Sequence, residues 1–161
     1  MARTPLLFAL CVILSALAVS ARRPVSDRFI VKGRVYCDTC RAGFETSATT
    51  YITGAKVRVE CKDRTTMLPV YSKEGTTDST GTFSISVAED HADQLCDAML
   101  VSSPQHDCAT ASPGRDRTRV ILTNYNGIAS KDRFANAMGF MKEEAMSGCA
   151  DVLKQYQESD D

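Results

Sequence analysis

No Gly-x-Ser-x-Gly, no phosphate-binding loop and no His-Glu-x-x-His occurs in the 161 residues. The common local signatures of acyl transfer, nucleotide binding and zinc proteolysis are therefore missing. Histidine is scarce: His91 and His106 are the only two, and each stands apart from the other. A structural zinc site needs four ligands at short paired spacings, and neither histidine lies near a second Cys-x-x-Cys pair. His91 in EDHADQ and His106 in SPQHDC read as solvated loop residues. An excess of positive charge is missing too, since 19 Lys and Arg stand against 20 Asp and Glu. That balance argues against general nucleic-acid binding, which needs a concentrated basic field. There is no internal repeat, low-complexity block or linker, so one domain is expected.

Long apolar runs are missing except at the start. LLFALCVILSALAV, residues 6–19, follows a short segment carrying Arg3 and precedes the small residues Ser20 and Ala21. A basic start, a 14-residue apolar core and a small-residue exit describe a secretory signal peptide. A spanning helix needs about 20 apolar residues. Cleavage is expected after Ala21, giving a signal peptide over 1–21 and a single domain over 22–161. The product is expected to be secreted and extracellular, with no membrane insertion. The carboxylates Glu89, Asp90 and Asp93 lack the spacing of a 12-residue calcium loop, so neither metal nor cofactor is expected.

What is present in number is cysteine. Cys11 leaves with the signal peptide, and Cys37, Cys40, Cys61, Cys96, Cys108 and Cys149 remain. An even count in an oxidising compartment points to three disulfides, with 15 connectivities open to sequence alone. The Cys37-x-x-Cys40 pair reads as structural rather than redox-active. A reactive dithiol is normally activated at a helix N-terminus, whereas RAGFETSATTY follows here. The two sulfurs are expected to go to different distant partners.

Several segments alternate with period two, as half-buried strands do. In KVRVECK, Val57, Val59 and Cys61 share one face; in TFSISV, Phe83, Ile85 and Val87 do the same. Between them TTDSTGT offers Asp78 and Gly81 for a turn, which predicts a hairpin of these two segments. RFIVKGRVY is β-rich, with Gly33 suggesting a bulge or bend. AMLVSS and TRVILT add strands, and LPVYSK adds an edge strand marked by Pro69. A C-terminal helix is expected from EEAMSGCADVLKQY, with Cys149, Val152, Leu153 and Tyr156 on one face and Gly148 weakening its start. The tail QESDD is expected to fray. The fold class is thus mainly β: a small disulfide-stapled β-barrel or sandwich of about seven short antiparallel strands with a short C-terminal helix.

One segment is a candidate binding surface. If RDRTR enters a strand, Arg115, Arg117 and Arg119 share a face. With outward Lys56 and Arg58 they would form a basic stripe for an anionic ligand, against the plainer reading of an edge strand kept soluble by charge.

The signature GRVYCDTCRAGFET, with Gly33, Val35, Tyr36, Cys37, Asp38, Thr39, Cys40 and Arg41, resembles that of the Ole e I-like plant proteins, the olive major pollen allergen family. GAKVRVEC, TTDSTGTFSI, LVSSP, RDRTRVILTNYNGI and FANAMGF continue the likeness over nearly the whole secreted chain. Lys32 departs from the Gln, Glu or Thr usual before the glycine. A second departure is the lack of any Asn-x-Ser/Thr site, so N-glycosylation is not expected. The resemblance implies a small disulfide-bonded β-barrel secreted by pollen or a related plant tissue. It implies the pairs Cys37–Cys108, Cys40–Cys149 and Cys61–Cys96. It further implies a non-enzymatic role in pollen hydration, germination or tube growth, and a potential allergen met by IgE in sensitised people. The extracellular partner would be a receptor ectodomain or an acidic wall polysaccharide. A carbohydrate-active wall enzyme and a structural wall protein are the alternatives.

Overall fold

The computed structural model describes residues 28–157; the expected signal peptide and the acidic residues 158–161 lie outside the described residues. In chain order the elements are β1 (Arg28–Asp38), β2 (Thr50–Tyr51), β3 (Lys56–Asp63), β4 (Pro69–Thr76), β5 (Thr82–Ala88) and β6 (Gln94–Ser102). They continue as β7 (Thr110–Ala111), β8 (Arg117–Val120), β9 (Asp132–Phe134), β10 (Met138–Met141) and helix α1 (Cys149–Gln157).

The alternating segments fold as their periodicity requires. Val57, Val59 and Cys61 of β3 and Phe83, Ile85 and Val87 of β5 are buried, at most 2% exposed, and meet Phe29, Val31 and Val35 of β1 in one core. Each fully buried Val, Ile or Phe contributes about 1.5–3 kcal/mol, so these nine positions fix which face of each strand turns inward. One sheet is antiparallel in the order β4-β3-β6-β8. The second is built on β1, whose first half pairs with β5 and β9 and whose second half pairs with β2 and β10; β7 extends it from β10. The two sheets pack as a sandwich and do not close into a barrel.

Three expectations need correction. β5 does not pair with β3, because β4 and β6 already occupy both edges of β3. The chain does turn at 77–81, where the Asp78 carboxylate accepts from the Thr80 and Thr82 amides at 2.8 and 3.1 Å. That turn carries it from one sheet into the other, where β5 pairs with β1. The pairing is also not wholly antiparallel: β1 runs parallel to both β9 and β10. Finally, Gly33 makes no bulge against β5, since its register with Phe83 is continuous. A Cβ there would sit 2.6 Å from the Phe83 ring, so the glycine supplies room for a core aromatic.

The last part of TRVILT leaves the ladder. β8 ends at Val120, and Ile121 to Thr123 run past the edge of β9 without pairing to it. β9 has inverted polarity: Phe134 is 76% exposed, whereas Arg133 is 4% exposed. The Arg133 guanidinium lies 4.8 Å from the Phe29 ring centroid. It donates to Ile121 O and Thr123 O, each at 2.9 Å, and to Ser130 O and Asp132 O. One side chain thus bridges the open seam between the sheets, supplying donors where a strand would have supplied amides.

Candidate functional site

The Cys-x-x-Cys segment is a knot of structural contacts. Cys37, inside β1, joins Cys108, and Cys40, in the turn after it, joins Cys149 at the start of α1. Asp38 between them is fully buried and accepts from the amides of Ala42 and Gly43 at 3.0 and 2.6 Å. Its own carbonyl accepts from Lys142 N at 3.1 Å. Thr39 donates its hydroxyl to Ala48 O at 2.8 Å. Arg41, held at φ +54°, donates to the carbonyls of Lys142 and Glu143 at 2.7 and 2.8 Å. The Asp38 carboxylate thus closes the turn on itself, while the Asp38 carbonyl, the Thr39 hydroxyl, the Cys40 sulfur and the Arg41 guanidinium tie it to other parts of the chain. Helix α1 docks on the same turn, with the Phe44 and Tyr156 rings 5.1 Å apart, edge to face. Val35 and Tyr36 are buried on β1 beside them.

The basic stripe divides. Lys56, Arg58, Arg117 and Arg119 do share the outer face of the β4-β3-β6-β8 sheet, in the rows Glu74–Arg58–Met99–Arg117 and Ser72–Glu60–Asp97–Arg119. Carboxylates from neighbouring strands interleave with them. Arg58 pairs with Glu74 at 2.6 Å, Arg119 with Asp97 at 2.6 Å and Arg117 with Asp116 at 3.1 Å. Exposed pairs of this kind contribute about 0–1 kcal/mol each, but they do cancel the field a stripe would need. Arg115 is not on this face. It precedes β8 and donates Nε to Gly43 O at 2.9 Å.

His91 is also not a solvated loop residue. It is 6% exposed and packs 4.8 Å from the Tyr71 ring, with Nδ1 against Gln94 Oε1 at 2.8 Å and Nε2 against Ala88 O at 3.0 Å. One of its ring nitrogens and the sulfurs of Cys61 and Cys96 lie within 4.8 Å of one another. Both sulfurs are spent in the Cys61–Cys96 bridge and both nitrogens in hydrogen bonds. The trio therefore has no donor to offer a metal as it stands.

A second surface, which the alternation pattern did not reveal, lies along the seam. Ile121 is 56% exposed, Ile128 50% and Phe134 76%. They line a groove of about 410 Å³ between the end of β8 and β9, rimmed by Arg119 and Asp132. One sequence signal does point to it. In RTRVIL the buried positions are Val120 and Leu122, so Ile121 falls on the outward parity of the arginines, where an apolar residue is out of place.

Asp90 fixes the segment next to this groove. Its carboxylate accepts from Thr123 Oγ1 at 3.1 Å, Asn124 N at 2.9 Å, Asn124 Nδ2 at 3.2 Å and Ala92 N at 2.9 Å. Partial burial pushes its pKa up, but these hydrogen bonds outweigh it and hold the group below the usual carboxylate range. A depressed carboxylate stabilises the fold above its ordinary value of about 3.9 and ceases to as pH falls through the lowered one. At neutral pH, Asp90→Asn should speed hydrogen exchange at the Asn124 amide several-fold. The gap between variant and wild type should shrink as the pH falls through that lowered pKa and the wild-type carboxylate is protonated. An unchanged exchange rate at pH 7 would show that the carboxylate does not hold the segment.

Comparison with known proteins agrees with the scaffold. The family model for "Pollen protein Ole e 1 like" matches residues 27–157. The Protein DOWNSTREAM OF FLC of Arabidopsis thaliana is 47% identical over 152 residues, covering 94% of this chain and 91% of that one. The pollen allergen Phl p 11 of Phleum pratense is 40% identical over 129 residues, covering 80% and 90%. Among solved structures, the major plantain pollen allergen Pla l 1 superposes with a TM-score of 0.67 at 29% identity, over 76% of this chain and 99% of that one. With the family model spanning the β-sandwich from the residue before β1 to the end of α1, the chain belongs to the Ole e 1-like pollen protein family.

Proposed function

We propose that this is a secreted, non-enzymatic plant pollen protein that acts by binding an extracellular partner during pollen hydration, germination or tube growth. The pollen origin rests on relatives named as pollen allergens, and so does a potential to be an allergen bound by IgE. Secretion is supported by the leader-like residues 1–21 and by three disulfides, which persist in oxidising compartments. The observation that carries the binding role is the seam groove. Three large apolar side chains stand half to three-quarters exposed and together line one groove, whereas Met67, Leu68, Val70 and Tyr125, each exposed at least as much as Ile128, do not line it. An apolar patch with a polar rim marks an interaction site.

Affinity capture from pollen and pistil extract tests this. Wild-type protein should retain a partner, and Ile121→Asp with Ile128→Asp should lower that retention at least about tenfold, the range of an interface hot spot. Circular dichroism should stay unchanged, because both side chains are outside the core. In parallel, no reducing sugar should be released from pectin, glucan or arabinogalactan. Release by the purified protein, or retention unaffected by the double substitution, would overturn the reading.

A further inference from the structure

The outward face of β1 carries Arg28, Ile30, Lys32 and Arg34 at every second position. Its neighbours add hydroxyls on one side and an aromatic ring on the other. In register, Lys32 lies between Ser84 of β5 and Phe134 of β9, and Arg34 lies beside Thr82. A second groove, of about 360 Å³, opens here on the side of Phe134 away from Ile121. Its floor is made of small residues, Gly33, Ala135 and Ala137; its walls are Phe134 and Arg34, with Lys32 and Thr82 at the ends.

The charges in the groove are unequal. Lys32 is matched by Asp132 at 2.7 Å. Arg34 lies 3.4 Å from the centroid of the Tyr51 ring and donates Nη2 to Thr80 O at 3.4 Å. A ring face and a carbonyl orient a guanidinium without neutralising it. Asp78 feels the Arg34 charge, but its carboxylate already accepts from Thr80 Oγ1 at 2.7 Å and from the Thr80 and Thr82 amides. The groove therefore presents a positioned planar cation, an exposed aromatic face, a small-residue floor and a hydroxyl.

We propose that this groove binds a uronic-acid residue of an acidic oligosaccharide, with its carboxylate on Arg34 and the C–H face of its ring on Phe134. Each part of that ligand has a counterpart. A carboxylate is the group that a guanidinium fork recognises best. A pyranose has one face of C–H groups that packs against an aromatic ring, and its hydroxyls find Thr82. The floor of small residues lets the ring come down between Phe134 and Arg34. A neutral sugar would leave Arg34 unmatched. An apolar peptide would do the same, and it suits the Ile121–Ile128 side of Phe134 better.

The proposal rests on the reading that the protein acts by binding, and its test separates the two. Trigalacturonic acid is titrated into the isotope-labelled secreted protein, and amide shifts are followed. Saturable shifts are expected at Gly33, Arg34, Thr82 and Ala135, weakened at least about tenfold by Arg34→Gln and by Phe134→Ser, as for loss of a charge-assisted contact or an aromatic anchor. The fully methyl-esterified trisaccharide should bind equally weakly. Arg117→Gln, on the opposite sheet, should leave the affinity unchanged, and each variant's spectrum should otherwise overlay the wild type. No saturable shift at millimolar ligand, shifts confined to the Arg58–Arg117 face, or equal binding of the methyl ester would each overturn the assignment. If affinity capture succeeds with Arg34→Gln while trigalacturonate never binds, the groove is wrong and the binding role stands.

Discussion

Replacing Arg133 by Met should destabilise the protein by about 3–5 kcal/mol, since hydrogen bonds from a charged group contribute about 1.5–3 kcal/mol each and several are lost together. The Arg133 guanidinium supplies hydrogen bonds to carbonyls on both sides of the seam: Ile121 and Thr123 beyond β8, Ser130 and Asp132 at β9. Methionine keeps much of the volume but not the cation over Phe29, so the loss reads the guanidinium's contacts rather than the packing. For a domain of this size the thermal midpoint should fall by roughly 10–15 °C. Lysine should restore only part of it, because one ammonium cannot reach carbonyls spread over four residues as a planar fork does. A fall of less than about 3 °C for Arg133→Met in scanning calorimetry would show that water replaces the guanidinium at the seam without loss.

Removing the Cys61–Cys96 bridge should cost a similar amount for a different reason. The two cysteines are register partners on β3 and β6, with Cα atoms 4.0 Å apart across a sequence separation of 35. Closing a loop of that length in the unfolded chain corresponds to about 4 kcal/mol in the chain-entropy model, against about 5–15 kcal/mol for a whole domain. Both sulfurs are buried under the Tyr71–His91 pair, so the double Ala variant also loses packing. Its denaturant midpoint should drop by a third or more, while peptide mapping should still find Cys37–Cys108 and Cys40–Cys149 and no free thiol. An unshifted midpoint, or a rearranged pairing in the variant, would show that this bridge does not stabilise the sandwich on its own.

Period-two alternation made β3 and β5 legible because each has one face in the core and one in water. It could not reveal β9. A three-residue strand gives one and a half periods, and Asp132-Arg133-Phe134 points its arginine inward and its phenylalanine outward. Turn chemistry located the reversal at Asp78 and Gly81 but not its consequence. Such residues dictate that the chain turns, and pairing is decided by which strand edges remain unoccupied. The basic stripe failed for a related reason. Arg58, Arg117 and Arg119 are visible along one chain, whereas the carboxylates that answer two of them, Glu74 and Asp97, arrive from neighbouring strands. The groove over Gly33 and Ala135 arises from register between β1, β5 and β9, far apart in sequence, which no local pattern encodes; the seam groove left only the outward Ile121 as a sign.

The parallel partners of β1 set the order in which a nascent chain can finish. Ile30 and Val35 wait for Asp132 and Met138, and Cys37 and Cys40 wait for Cys108 and Cys149. β1 is thus completed only once β9 and β10 have been made, and long-range pairing of this kind is slow. During that interval two neighbouring thiols sit exposed to oxidation before either true partner has emerged. They can close on each other or exchange partners, and thiolate attack must then undo the wrong bridge. Cells making this protein in quantity would therefore lean on disulfide isomerase. A message cut short before residue 138 would yield a chain with no completed β1 and an unmatched Cys40, a ready substrate for quality control rather than a smaller working protein.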